Sequence, residues 1–215
     1  MTGIDTETPD ATALLQTRLA TLPEVPLATD RADAAVLILL RSGPEGLEVL
    51  AEQRAERAGD PWSGHVGLPG GRANPADHSM QETALRELRE EVGILPEALD
   101  GPPGLFDVRR ARPSGLRVAV FAGRLIVPPQ GTTRIDPKEV AGTFWFPLSA
   151  LHRVETRPRS TLFGEINVET VPFASHVVWG FTLRVLRDFE AWLRGGEAGA
   201  PDSPGELQRW RSQAF

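Results

Sequence analysis

The stretch Arg86-Glu87-Leu88-Arg89-Glu90-Glu91-Val92-Gly93-Ile94, with Gly70-Gly71 upstream of it, decides how the chain is read. Each residue of an α-helix turns by about 100°, so Glu87, Glu90 and Glu91, related as i, i+3 and i+4, are expected on one face. Ala84, Leu85, Leu88 and Val92 fall on another face, which would pack on a sheet. Both ends of the helix are marked. Ser79 followed by Glu82 is a capping-box pattern, and Gly93 stands where a left-handed residue closes a helix. Like charges at this spacing cost an isolated helix about 0.2–0.5 kcal/mol per pair, and more where the face loses water. Two readings answer that cost: a solvated acidic face, or a cation held among the three carboxylates. The neighbours favour the cation. Gly70-Gly71 lets backbone come close to a phosphate-bearing ligand, and Arg86 can brace Glu90 at i+4. Hard oxygen donors suit Mg²⁺ or Mn²⁺, and Glu87, Glu90 and Glu91 are the expected ligands.

Upstream, Ala34 to Leu40 is a continuous apolar run. Leu47 to Leu50 resumes it after Gly43-Pro44-Glu45-Gly46, which reads as a hairpin. Residues 57–72 carry Gly59, Gly64, Gly67, Gly70 and Gly71 with Pro61 and Pro69, and read as a structured loop rather than an element. Downstream, Leu105 to Val108 and Arg117 to Val127 read as strands, and Phe144-Trp145-Phe146 as a last strand running into a short helix. From Val177 to Leu193, Val178, Phe181, Val185, Phe189 and Leu193 recur at helical spacing and predict a closing helix. This order predicts an α/β (α+β) fold, a mixed β-sheet sandwiched between helices rather than a doubly wound parallel one. Residues 1–30 are expected to be a partly helical extension with a short helix around Leu14 to Leu22, residues 31–194 the domain, and residues 195–215 a loose tail that Trp210 could pin.

Composition narrows the classes. The chain has 215 residues, a length suited to one domain plus tails. The formal net charge of −6 argues against a nucleic-acid-coating surface but permits a small phosphorylated substrate. With no cysteine, a disulfide frame, a thiolate zinc site and a Cys nucleophile are all excluded. The sequence holds no apolar run of membrane-spanning length, and its first thirty residues lack the basic-then-apolar order of a signal peptide. The cytoplasm is therefore the expected compartment, no membrane partner is expected, and homodimerisation stays open.

Gly70-Gly71 through Ile94 resembles the Nudix box: a glycine, a spacer, then Arg-Glu-apolar-any-Glu-Glu-any-Gly-apolar. Arg86 to Ile94 matches every defined position. The first half departs: His78 holds the usual glutamate position, Arg72 the glycine position, and the spacer is one residue longer, which brings Asp77 to where an acidic residue could substitute. The longer spacer, Gly64-His65-Val66-Gly67-Leu68-Pro69-Gly70-Gly71, and Val178-Trp179-Gly180-Phe181-Thr182 resemble the coenzyme A pyrophosphatase branch. Leu68 stands there for Phe, and Asp60 stands where that branch carries arginine. Arg54 and Arg57 lie close by in the sequence.

The resemblance covers roughly residues 34–193 and implies metal-dependent hydrolysis of a diphosphate bond by water. Coenzyme A would give 3′,5′-ADP and 4′-phosphopantetheine, while ADP-ribose or NADH are alternative substrates. A non-catalytic nucleotide-binding module is the other class, and it would be expected to lose the three metal carboxylates, which are all present. On this reading Arg86, Glu87, Glu90 and Glu91 are catalytic. Glu139, six residues before Trp145, is a candidate proton acceptor or else a plain loop residue. Arg54, Gly70, Gly71, Trp62 and Arg110 are the candidate substrate contacts. Trp62 could stack on adenine or pack under its loop. Arg109, Arg110 and Arg112 could grip phosphate or line a solvated strand edge. His78, His152 and His176 show no ligand spacing and are expected to be structural.

Overall fold

The computed structural model describes residues 11–23, 32–59, 62–111, 114–126, 137–161 and 164–196. Helix α1 (Ala11–Leu19) precedes the hairpin β1 (Ala34–Gly43) and β2 (Gly46–Arg54). Two very short strands, β3 (Val66–Gly67) and β4 (Gly70–Arg72), lie in the glycine-rich segment read as a loop from sequence. Their backbone is extended because it finds partners on β2 and β1, which composition cannot reveal. Helix α2 (Met80–Glu87) follows, then β5 (Gly104–Arg110), β6 (Arg117–Arg124) and β7 (Val140–Pro147).

The large sheet runs β3-β2-β1-β6-β5, with β4 added on β1 and β7 on β2. β1 and β6 are parallel, and the remaining pairs are antiparallel, so the sheet is mixed as expected. β1 is buried on both faces. Ile38 and Leu40 point into one core with Phe146, Val185, Leu186 and Phe189, while Ala35, Leu37 and Leu39 point into another with Ala84, Leu88 and Val92. That two-sided burial is why residues 34–40 read as an unbroken apolar run instead of alternating.

Two expectations are overturned. β7 is not the last strand: β8 (Glu155–Thr161), β9 (Gly164–Phe173) and β10 (His176–Trp179) form a second, antiparallel sheet. The closing helix, α3 (Gly180–Leu193), starts later than predicted, because Val177 to Trp179 pair with β9. Val178 is fully buried as a strand residue, so its spacing to Phe181 fitted a helix by coincidence. The N-terminal helix packs firmly: Leu15 is buried in the α3-side core, and the Arg18 guanidinium lies 4.5 Å over the Trp192 ring and donates to Gly196 O at 3.0 Å. Asp60, Arg112 and Trp210 lie outside the described residues. No helix among the described residues is long and apolar enough to cross a membrane.

β4 crosses β1 so closely that Gly70 has φ of +151°, and a Cβ there would collide with Ala35 O and with Val36 Cα. Gly70→Ala should therefore lower the unfolding free energy by roughly 2–5 kcal/mol, combining backbone strain with overpacking. Gly142→Ala on β7, where a Cβ meets nothing within 4 Å, should leave stability unchanged or raise it slightly. Urea denaturation of the two variants checks the contrast, and equal midpoints would contradict the close approach.

Candidate active site

The site is built where α2 meets β4 and β2. Ser79 caps α2, its side chain accepting from the Glu82 amide at 3.1 Å, while Glu82 Oε2 accepts from His78 N at 2.7 Å. The return arm of the capping box thus lands one residue before the cap. Ala84, Leu88 and Val92 are buried at 0–1% exposure and anchor the helix to the sheet. Beyond Glu87 the helix widens into a π-turn, Leu88–Val92, closed by Gly93 at φ 71°. Such turns insert a residue and re-aim the side chains that follow.

This changes the expected geometry of the three glutamates. They do not present one uniform face. Glu91 is 3% exposed and turned inward, the Glu87 side chain is 12% exposed, and the Glu90 side chain is 50% exposed at the rim. The order follows their angular distance from the buried Ala84, Leu88 and Val92 face, with Glu91 nearest to it and Glu90 farthest.

Arg86 binds the cluster from one side. Its Nε and Nη2 donate to Asp77 Oδ1 and Oδ2 at 2.9 and 3.0 Å. Its Nη1 donates to Glu87 Oε1 at 2.8 Å and Glu90 Oε2 at 3.0 Å, and Nη2 also reaches Arg72 O at 3.0 Å. Asp77 further accepts from Thr83 Oγ1 and from Asn74 N, both at 2.8 Å. The Arg86 hydrogen bonds hold the Asp77 carboxyl well below the usual carboxylate range. Asp77, not His78, therefore supplies the carboxylate that faces Arg86.

A fourth glutamate, which the sequence reading passed over, forms the floor. Glu52 on β2 is 1% exposed, and its carboxyl lies within hydrogen-bonding reach of Glu91. Burial, with the Glu91 charge next, pushes Glu52 up to about 9 against the pull of Arg54. Burial likewise pushes Glu91 up to about 7, opposed by the Gly70 amide, which donates to Glu91 Oε2 at 2.8 Å, and reinforced by Glu87. Glu87 is also raised by burial, against its bond to Arg86. The two glycines make this seat: a Cβ on Gly71 would come within 2.5 Å of Glu87 Oε1. The signal for Glu52 was present in sequence as an acid directly after Val49-Leu50-Ala51 in a strand. Its face, shared with Leu50 and turned to α2, follows from tertiary pairing.

The remaining candidates divide. Arg54, at the end of β2, is half-buried and electrostatically coupled to Glu52 and Glu91. Glu139, in the turn before β7, has a side chain 48% exposed, lies 3.9 Å from Arg57, and adds repulsion on Glu87 and Glu91. Trp62 sits half-buried on the glycine-rich loop. Arg110 stands on β5, the edge strand opposite β3, where Nη1 donates to Gly115 O at 3.2 Å, so the strand order does not bring it to the carboxylates. Arg109 is also committed elsewhere, to Asp107 at 2.6 Å and Asp188 at 2.5 Å, pinning β5 to α3. His176 and His152 have protein partners, Gln53 at 3.0 Å and Glu190 at 3.1 Å.

The loop preceding β4 is supported by the second sheet and α3. The His65 ring meets the Trp179 ring edge-on at 4.7 Å, and Thr182 Oγ1 donates to Val66 O at 3.0 Å. Gln53 donates to Gly64 O and holds His176, which stacks at 3.9 Å on Phe144.

The donor set suits a hard divalent cation. It consists of desolvated carboxylates that repel one another, and one oxygen, Glu52 Oε2, is buried with no hydrogen-bond partner among the described residues. As placed, no three carboxylate or imidazole groups among the described residues converge to ligating spacing. Arg86 occupies Glu87 and Glu90, and the Gly70 amide occupies Glu91.

Comparison with known proteins agrees with this arrangement. Residues 30–163 match the family described as NUDIX domain. A probable Nudix hydrolase of Schizosaccharomyces pombe is 31% identical over 182 residues, covering 80% of this chain and 60% of that protein, so the chain spans less than two thirds of that relative. An uncharacterised Nudix hydrolase, NudL, of Yersinia enterocolitica is 34% identical over 157 residues, covering 72% of this chain and 77% of the relative. A NUDIX hydrolase structure from Alicyclobacillus acidocaldarius superposes with a TM-score of 0.52 at 19% identity, over 80% of this chain and 99% of that one, which speaks for the fold alone. The carboxylate-bearing helix seated on a double glycine and the matched domain lead to one conclusion: this chain belongs to the Nudix hydrolase family, enzymes that act on pyrophosphate bonds.

Proposed function

We propose that this chain hydrolyses the diphosphate bond of a nucleoside-diphosphate derivative, with coenzyme A or acyl-coenzyme A as substrate and 3′,5′-ADP and (acyl-)4′-phosphopantetheine as products. The observation that carries the reading is the seating of Glu87 and Glu91, desolvated and mutually repelling, against the Gly70-Gly71 backbone. Glu87, Glu90 and Glu91 would hold Mg²⁺ or Mn²⁺. When bound, such an ion offsets charge on diphosphate oxygens and makes a water more acidic.

The chain's own residues do the rest. Arg86, fixed by Asp77, keeps Glu87 and Glu90 in place before substrate arrives. Gly70 and Gly71 allow a phosphate to approach the backbone, and Arg54 supplies positive charge beside the carboxylates. Glu139, half-exposed next to this group, is our candidate to accept the proton of the attacking water. Trp62 offers a ring for base stacking. Support for the coenzyme A class comes from packing. The two segments that resemble that branch, Gly64–Gly71 and Val178–Thr182, are far apart in sequence yet touch through His65–Trp179 and Val66–Thr182. We place the enzyme in the cytoplasm, acting on a small molecule rather than nucleic acid, with a homodimer as the association state to test.

Glu87→Gln and Glu91→Gln should each reduce turnover by more than about 100-fold, since even outer residues of metal sites cost 10–100-fold. Circular dichroism should stay unchanged, and EDTA should abolish wild-type activity until Mg²⁺ or Mn²⁺ is restored. Near-wild-type turnover in both variants, or turnover indifferent to EDTA, would end the metal assignment.

In a panel of coenzyme A, ADP-ribose and NADH, coenzyme A should give the highest kcat/KM, with 3′,5′-ADP identified chromatographically. A preference for either competitor would move the substrate to the ADP-ribose or NADH class while leaving the reaction type standing.

A further inference from the structure

Two glutamates of β2 share one face, and the fold treats them differently. Glu48 is buried but answered: the Arg41 side chain contacts its Oε2 at 2.8 Å across the hairpin. Glu52, one i+4 step along, is 1% exposed and faces α2. Its carboxyl meets that of Glu91. Its Oε2 is buried without a hydrogen-bond partner among the described residues. A buried carboxylate oxygen with lone pairs left over is costly unless something positive meets it. A glutamine or a leucine would suit a purely structural position better, directly after the buried Val49, Leu50 and Ala51.

We propose that Glu52 is a further carboxylate of the cation site, contributed from the sheet rather than from the helix: it lies against Glu91 and offers its buried Oε2 to ligate. The site is then closed from two elements, α2 with its π-turn above and β2 below. Closure from two elements fixes a ligand set better than one helix can, because glutamate side chains on a single helix keep their rotamer freedom. The proposal rests on the diphosphatase reading given above.

The test measures Mn²⁺ binding to the full chain by calorimetry, for wild type, Glu52→Gln, Glu52→Ala and Glu48→Gln, with melting curves recorded in EDTA and in Mn²⁺. Glu52→Gln should bind Mn²⁺ about 10–100-fold more weakly, lose most of the Mn²⁺-induced rise in melting temperature, and melt no lower than wild type in EDTA. Glu48→Gln should bind Mn²⁺ as wild type does. If Glu52→Ala fails to fold, the isosteric glutamine variant decides. Wild-type Mn²⁺ affinity in Glu52→Gln would overturn the assignment of Glu52 alone. No Mn²⁺ binding by wild type would overturn both this inference and the function on which it rests.

Discussion

The hydrogen bond from the Gly70 amide to Glu91 is the contact on which the rest of the site depends. It requires the backbone of β4 to run close to both β1 and the helix: a Cβ on Gly70 would strike the β1 backbone at Ala35 and Val36, and one on Gly71 would displace the Glu87 carboxyl. It also requires Glu91 to lie next to the buried Leu88 and Val92 face, within the π-turn Leu88–Val92. Glu91, once buried, raises the cost of ionising Glu52, and Glu87 raises the cost of both. The site is thus a concentration of negative charge assembled by the fold, against which Arg86 and Arg54 provide only part of the balance.

Arg86 shows how little slack remains. Its guanidinium answers Asp77 twice, Glu87, Glu90 and the Arg72 carbonyl, so every direction of the fork is occupied. A lysine could not do this, because three donors on a point charge cannot span four acceptor groups on a loop and a helix. Asp77 makes the arrangement rigid by taking Thr83 and Asn74 as well, which ties the start of α2 to the loop before it.

What was legible in the sequence follows a physical divide. Signals confined to a few neighbouring residues were readable: the hairpin at residues 43–46, the Ser79 cap, Gly93, the i to i+4 step from Arg86 to Glu90, and the two-sided apolar run of β1. The mixed sheet between helices followed from their order. Features created by pairing across the chain were not readable. β3 and β4 have two and three residues, too few for any periodicity, and exist because β2 and β1 offer them partners. β8 carries Glu155, Arg157, Pro158 and Arg159, a composition that suits an exposed sheet face and gives no hydrophobic signal. Glu52 could be seen as an acid in a strand, but the face it occupies became meaningful only once α2 was laid across that face.

The second sheet, the least legible part, has a definite mechanical role. Gln53 sits one residue from Glu52 and, because strand neighbours point to opposite faces, reaches away from the carboxylates. Its amide donates to Gly64 O and its Oε1 meets His176 Nδ1, whose ring lies flat against Phe144. An Oε1 acceptor requires Nδ1 to carry the proton, so the tautomer of His176 is set by the same amide that holds the loop. Trp179 and Thr182 brace the next two loop residues. A glycine-rich segment has high conformational entropy in isolation, and the three contacts to Gly64, His65 and Val66 restrict that freedom ahead of any ligand. β2 therefore serves both sides of the sheet at once, acid on one face and loop anchor on the other, which couples the position of the Gly70 amide to the packing of β9 and β10.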